Sequence, residues 1–198
     1  METTQLWPFV VFSMVGSFTP GPNTTIATAT GANFGFRAVV PHIVGVPFGF
    51  STLLVLGSLG VAGILLALPA AAGVIKWVGV LYMLYLGSLL LGSARWGDAH
   101  VVRPLTFWEA AMFQYVNPKA WMLAAATASA YVPGHSVPAR TTLICAVWSG
   151  TCVLSLVAWA WLGAALREWL RVGNRQRGFN ALMAFSLVAT AIWMAATP

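Results

Sequence analysis

The sequence predicts an all-α integral membrane protein with about six transmembrane helices, arranged as two inverted three-helix repeats whose first and fourth spans are broken by proline. Three observations carry this expectation. Of 198 residues, 59% are hydrophobic and 7% charged, against ~25% charge in ordinary globular domains, so most of the chain faces lipid or a lipid-surrounded core. The few charges leave long uncharged runs at 3–36, 38–75, 77–94, 120–139, 141–166 and 178–198, and a spanning helix needs about 20 mostly apolar residues. Two of the resulting spans carry helix breakers whose prolines, Pro22 and Pro118, lie 96 residues apart.

The first span, residues 5–29, holds Thr19-Pro20-Gly21-Pro22-Asn23. A proline at position i cannot bond the carbonyl at i−4, so Pro20 and Pro22 should free the carbonyls of Gly16 and Phe18. No Lys or Arg precedes Arg37; the segment lacks the basic start of a cleaved signal peptide and reads as a retained span. The second span, residues 38–66, contains His42 and Gly45-Val46-Pro47-Phe48-Gly49. Its GxxxG spacing permits close helix packing, read here as internal packing ahead of dimerisation. His42 can carry a proton, with an unperturbed pKa of about 6.5; the alternative is that it caps the helix or lies at the interface.

The third span covers residues 73–93, unless this segment dips in and returns, which would leave five spans. The fourth, residues 107–131, contains Gln114-Tyr115-Val116-Asn117-Pro118-Lys119, where Pro118 should free the Gln114 carbonyl. In the fifth, residues 141–165, Cys145 and Cys152 stand seven apart, roughly 10 Å along the axis and too far for a disulfide within that helix; they read as small apolar filler. The sixth covers residues 178–197.

Alternate loops divide the basic residues unevenly. One side has Arg37, Arg95, Arg103, Arg167, Arg171, Arg175 and Arg177, the other Lys76 and Arg140. Cytoplasmic loops carry the excess of Lys and Arg, which places the first set inside and both termini outside. Four of the ten basic residues fall in one short loop, so the net charge of +6 follows from topology and excludes a nucleic-acid partner. The partners expected are the lipid bilayer and a small-molecule substrate. Arg37 and Arg140 lie 103 residues apart, Lys76 and Arg177 101, offsets close to that of the breaks. The chain therefore reads as one transporter domain, 1–198, with repeats at about 1–96 and 97–198. With three spans each, the second repeat must insert upside down, a common design in secondary transporters.

Interrupted spans at matching places in two halves point to a transporter's binding site. Asn117 can cap a helix whose first position is Pro118, and Gly21 with Pro22 can do the same in the first span. Each broken span would then hold a half-helix with free N–H groups, at Asn23 to Thr25 and around Lys119, and its positive dipole end inside the membrane. Such ends bind anions. Lys119, roughly 18 Å into its span, adds a cation where one is expensive and usually functional; the alternative is that it bonds freed carbonyls or snorkels to an interface. The candidate substrate-binding residues are Thr19, Pro20, Gly21, Pro22, Asn23, Gln114, Asn117, Pro118 and Lys119, with His42 as a possible proton relay. Thr19, Asn23, Gln114 and Asn117 would either bond substrate or re-satisfy the broken backbone.

Phe18-Thr19-Pro20-Gly21-Pro22-Asn23, then Gly79-Val80-Leu81-Tyr82-Met83-Leu84-Tyr85-Leu86-Gly87, then Asn117-Pro118-Lys119-Ala120, in that order and spacing over most of the chain, resembles the LysE/RhtB family of amino-acid exporters. The resemblance implies a multi-pass protein of the bacterial inner membrane that exports amino acids or related metabolites, driven by the proton gradient; it does not fix the substrate. Exporters of basic amino acids in that family are expected to carry acidic residues within the membrane. Here Glu2, Asp98, Glu109 and Glu168 all fall outside or at the edges of the spans, so the expected substrate is a neutral amino acid or a related carboxylate-bearing metabolite.

A channel is the competing reading, since broken helices also line pores. An enzyme is a weaker one: the spans offer no HExxH, acid pair or Cys-His cluster, and His135-Ser136 has no visible third partner. Neither metal nor cofactor is expected. The oligomeric state is not encoded legibly. In a background lacking Cys145 and Cys152, a cysteine near Arg171 should resist an impermeant thiol reagent in intact cells while one near Pro138 or Thr197 reacts; labelling near Arg171 alone would invert the topology.

Overall fold

A computed structural model describes residues 3–60, 69–92, 103–132 and 136–196. Among these the chain is helical throughout, as eight α-helices: α1 (Thr3–Phe18), α2 (Pro22–Phe34), α3 (Val40–Ser58), α4 (Pro69–Gly92), α5 (Phe107–Val116), α6 (Pro118–Tyr131), α7 (Val137–Leu170) and α8 (Arg175–Ala196). A 3-10 turn, Phe36–Val39, leads into α3. Both breaks are real: α1 gives way to α2 at Pro22, and α5 to α6 at Pro118.

Local chemistry sets these boundaries. At the first break Gly21 is extended (φ −177°, ψ −175°) and Pro22 opens α2. At the second, Asn117 is extended (φ −91°, ψ 110°) and its side-chain oxygen accepts from the Lys119 N–H, the cap that an Asn-Pro start provides. Thr106 caps α5 through a capping box with Glu109, whose carboxylate also holds Arg103. Glu109 thus belongs to the first helical turn.

Four helical stretches are long and apolar enough to cross a membrane: Phe36–Ser58, Gly73–Gly92, Val137–Leu170 and Arg175–Ala196. The third expected span is among them by length and composition. Several boundaries differ from expectation. The second helix ends at Ser58 rather than near 66, and residues 61–68 lie outside the described residues. The fifth is longer than expected, 34 residues, because Pro138 sits in its first turn and nothing breaks it before Gly173, which takes a positive φ of 60°. Arg95, Asp98 and His135 also lie outside the described residues.

Small residues bring the helix backbones together. A Cβ on Gly45 or Gly49 would stand 2.4 Å from the Phe107 carbonyl and 2.3 Å from that of Ala111, so the GxxxG face of α3 is filled by α5 of the same chain. A Cβ on Gly31 would meet the Ala160 carbonyl at 2.3 Å, and one on Gly163 the Thr28 carbonyl at 2.1 Å, where α2 crosses α7. Large apolar side chains such as Trp7, Trp161 and Phe185 point outward, 72%, 66% and 69% exposed, as a lipid-facing surface requires.

Side-chain contacts also sort the helix ends. Arg140 donates to Gln5 at 3.4 Å, which puts the starts of α1 and α7 at one end. Asn33, Gln176 and Asn180 share amide hydrogen bonds of 2.8–3.2 Å, joining the end of α2 to the start of α8 at the other. Arg37, Arg167, Arg171, Arg175 and Arg177 gather there, the grouping read from alternate loops.

Overpacking a close crossing costs about 1–3 kcal/mol. Gly163→Ala and Gly49→Ala should each lower the thermal midpoint of the detergent-solubilised protein, whereas Gly178→Ala, where nothing lies within 4 Å of the added Cβ, should not.

Candidate functional site

The two breaks face each other, because a side chain from each reaches the other. Lys119, in the first turn of α6, sends Nζ across to the Thr19 carbonyl at 2.6 Å. A Cβ on Gly21, the cap of α2, would stand 3.3 Å from that Nζ. The ammonium therefore lies between the carbonyl end of α1, which favours a cation, and the N-terminal end of α2, which does not. An ammonium has three donors, and Thr19 takes one.

Asn23 and Gln114 form the second cross-link. Asn23 Nδ2 donates to Gln114 Oε1 at 2.9 Å, and Gln114 Nε2 donates back to Asn23 Oδ1 at 3.2 Å and to the Ala110 carbonyl at 2.9 Å. In this conformation the two amides satisfy each other, and Gln114 also serves the backbone. Thr19 likewise turns onto its own helix, its hydroxyl donating to the Val15 carbonyl at 2.6 Å. Asn117 holds the Lys119 N–H at 3.1 Å.

The half-helix amides are more occupied than the sequence suggested. Thr25 N–H donates to Gly21, and the Ala120 and Trp121 amides to Asn117; with Lys119 capped, the first turn of α6 has its amides filled. The Thr24 hydroxyl accepts from the Gly21 N–H at 2.8 Å. The positive pole of the site thus rests on the Lys119 ammonium and the start of α2, and not on a pair of open helix ends. The carbonyls served by side chains are also displaced from those expected at Gly16, Phe18 and Gln114. Ser155 donates to Ser17 at 2.8 Å, Lys119 to Thr19, and Trp121 Nε1 to Tyr115 at 2.7 Å, while the Gln114 carbonyl accepts from the Asn117 N–H at 3.4 Å. The extended residues at each break rotate neighbouring carbonyls off the helix axis.

A cavity of about 60 Å³ lies at this junction; one water needs ~10–15 Å³, so it has room for a handful of waters. Of the candidate residues, Gly21, Pro22, Asn23, Gln114, Asn117 and Lys119 line it, while Thr19, Pro20 and Pro118 shape the breaks around it. The opposite wall is one the sequence did not disclose: Val46 and Phe50 from α3, with Trp148, Cys152 and Leu156 from one face of α7. Cys152, read as filler, is a wall residue. Cys145 and Cys152 are both free thiols.

His42 does not cap α3, whose N-cap is Val39 without a side-chain bond. It is 1% exposed, with Nε2 3.2 Å from the Asn23 carbonyl. A carbonyl only accepts, so Nε2 carries the hydrogen; Nδ1 is buried without a hydrogen-bond partner. The ring stands behind the Asn23–Gln114 pair, outside the cavity wall. Among the described residues no three His, Cys, Asp or Glu cluster as a metal site would.

Comparison with known proteins finds relatives along most of the chain. The family model described as "LysE type translocator" matches residues 14–197. A protein of Escherichia coli (strain K12) named "Cysteine/O-acetylserine efflux protein" is 27% identical over 197 residues, covering 97% of this chain and 98% of its own. A protein of the same name from Shigella sonnei (strain Ss046) matches to the same extent, and one from Escherichia coli O139:H28 (strain E24377A / ETEC) is 26% identical. No solved structure matches the chain.

Removing one member of a buried hydrogen-bonded pair leaves the other unsatisfied at a cost of about 1–3 kcal/mol. Asn23→Ala and Gln114→Ala should each lower the thermal midpoint, and the double variant should lose less than the sum of the two; additive losses would mean the amides do not act as a pair.

Proposed function

The chain belongs to the LysE type translocator family, and on that premise we propose that it is a secondary active efflux transporter. It exports a neutral amino acid or a related carboxylate-bearing metabolite across the bacterial inner membrane and draws on the proton gradient. The observation that carries the substrate class is the Lys119 ammonium, wedged beside the first turn of α2 and bonded to the Thr19 carbonyl. A cation beside a helix N-terminus is repelled by it, and a carboxylate placed there relieves the repulsion while taking the remaining ammonium donors. No acidic side chain stands among the described residues lining the cavity. A cationic side chain would enter without a counter-charge, whereas an uncharged one meets Phe50, Trp148 and Leu156.

Size points the same way. Room for a handful of waters suits a substrate of few heavy atoms. The relatives' name supports the reading, since cysteine and O-acetylserine each carry a carboxylate and no cationic side chain.

Transport follows from the two broken spans. In this reading α1–α2 and α5–α6 each cross the membrane, bringing the span count to six, and the two inverted repeats exchange conformations around the fixed junction. Protons act through His42. Its free Nδ1 accepts a proton, placing positive charge behind the Asn23–Gln114 pair and so linking protonation to carboxylate occupancy.

A screen for resistance to toxic amino acids and analogues, followed by uptake into inside-out vesicles, tests this. Flux should be saturable and dependent on the proton gradient; amino-acid amides and decarboxylated amines should compete poorly. Lys119→Met removes a charge-assisted bond worth about 1.5–3 kcal/mol and should weaken substrate binding roughly tenfold or more at near-normal abundance. Preference for lysine or arginine, or normal binding by Lys119→Met, would overturn the assignment.

A further inference from the structure

The last turn of α1 leaves one carbonyl without its helical donor. Pro20 has no N–H to give the Gly16 carbonyl, and the Thr19 N–H goes to Val15 at 2.9 Å. The side-chain donors at this end serve the neighbours of Gly16: Ser155 bonds the Ser17 carbonyl, Lys119 that of Thr19, and the Thr19 hydroxyl that of Val15. Gly16 and Ser17 both line the cavity.

The Ser17 hydroxyl is a second acceptor there. It donates to the Thr151 hydroxyl at 3.2 Å, which in turn donates to the Trp148 carbonyl at 3.1 Å. With its one hydrogen committed, the Ser17 oxygen can offer a ligand only its lone pairs. Both acceptors stand at the carbonyl end of a helix, which favours a cation. That end already holds a primary ammonium, the Lys119 Nζ at 2.6 Å from the Thr19 carbonyl. Gly16 lies three residues before Thr19, roughly 4.5 Å along a helix axis, so a second ammonium at Gly16 would be a near neighbour of Lys119. Two such cations repel unless an anion joins them. An α-amino acid brings both charges at once, with its carboxylate one carbon from its ammonium.

We propose that the Gly16 carbonyl and the Ser17 hydroxyl bind the α-ammonium of a zwitterionic substrate whose carboxylate is held by Lys119. This rests on the carboxylate reading above and narrows it: among neutral amino acids and related carboxylate-bearing metabolites, those with a free amino group beside the carboxylate are taken. An acid without that group leaves the Gly16 carbonyl unanswered. The single helix end takes the α-ammonium, and a further cation on a side chain meets Phe50, Trp148 and Leu156. Pro20 then does more than break the span, because it withholds the hydrogen that would fill the site.

The probes are L-serine, L-glycerate, in which a hydroxyl replaces the ammonium, and ethanolamine, which lacks the carboxylate. Binding of each is measured by calorimetry on the purified full chain in detergent. Serine should bind roughly tenfold or more tighter than glycerate, the effect of one charge-assisted bond, and ethanolamine should bind poorly. Pro20→Ala, which restores an N–H at the position that normally serves Gly16, should narrow the serine-to-glycerate ratio several-fold and leave glycerate affinity unchanged. Ser17→Ala should do the same and carries the test should Pro20→Ala fail to accumulate. Lys119→Met should weaken both acids. Glycerate binding as tightly as serine, or an unchanged ratio in Ser17→Ala, would overturn the ammonium site and leave the carboxylate reading standing. Ethanolamine binding as tightly as serine, with glycerate excluded, would retain the ammonium site and remove the carboxylate reading. Binding of none of the three would overturn both.

Discussion

One hydrogen bond, from the Lys119 ammonium to the Thr19 carbonyl, joins the two proline breaks, and much of the molecule is arranged to make it tolerable. A broken helix inside an apolar bundle exposes backbone groups that cost several kcal/mol each if left bare. Here each break supplies groups that answer those of the other. The α6 ammonium covers a carbonyl at the end of α1, the Asn23 amide of α2 locks to the Gln114 amide of α5, and α7 contributes the Ser155 hydroxyl to Ser17. The interruptions are therefore one polar junction between two halves of the chain, and the cavity is the space left where that junction meets the apolar wall of α3 and α7.

The glycine crossings and the junction are two parts of one design. Polar groups can be cross-linked only if the helices carrying them come close, and Gly31, Gly45, Gly49 and Gly163 allow backbones to approach to a distance no side chain would permit. Packing between small residues is also what holds helices together where lipid offers no hydrophobic drive.

Legibility in the sequence followed the chemistry of each residue. Pro22, Asn117 and Pro118 announce breaks and helix starts because their backbone constraints are local, and both half-helices begin where these residues place them. The glycine spacing of α3 was readable as internal packing for the same reason. What could not be read was facing. A helix normally reveals its buried side by contrast between polar and apolar positions, and α7, apolar on all sides, offers none; hence Trp148, Cys152 and Leu156 passed as ordinary span residues. The mutual pairing of Asn23 and Gln114 was hidden because they are 91 residues apart, and which carbonyls receive side-chain donors depends on the extended turns at Gly21 and Asn117, a rotation that no residue type specifies.

The length of α7 carries a consequence for the surrounding lipid. Thirty-four helical residues extend about 51 Å, some 20 Å more than the hydrocarbon layer, so the helix must lean or stand out of the layer at its arginine-bearing end. Arg167 and Arg171 lie in that end, with Arg175 stacked on Trp169 beside them at 4.7 Å. A cationic, tryptophan-bearing helix end is an anchor at the headgroup level of an anionic leaflet. Because the same rod carries Trp148, Cys152 and Leu156, its tilt sets where that cavity wall stands, and tilt responds to bilayer thickness at fractions of a kcal/mol per ångström of mismatch. The membrane is in that sense a mechanical neighbour of the site, acting through the lever arm of one long helix.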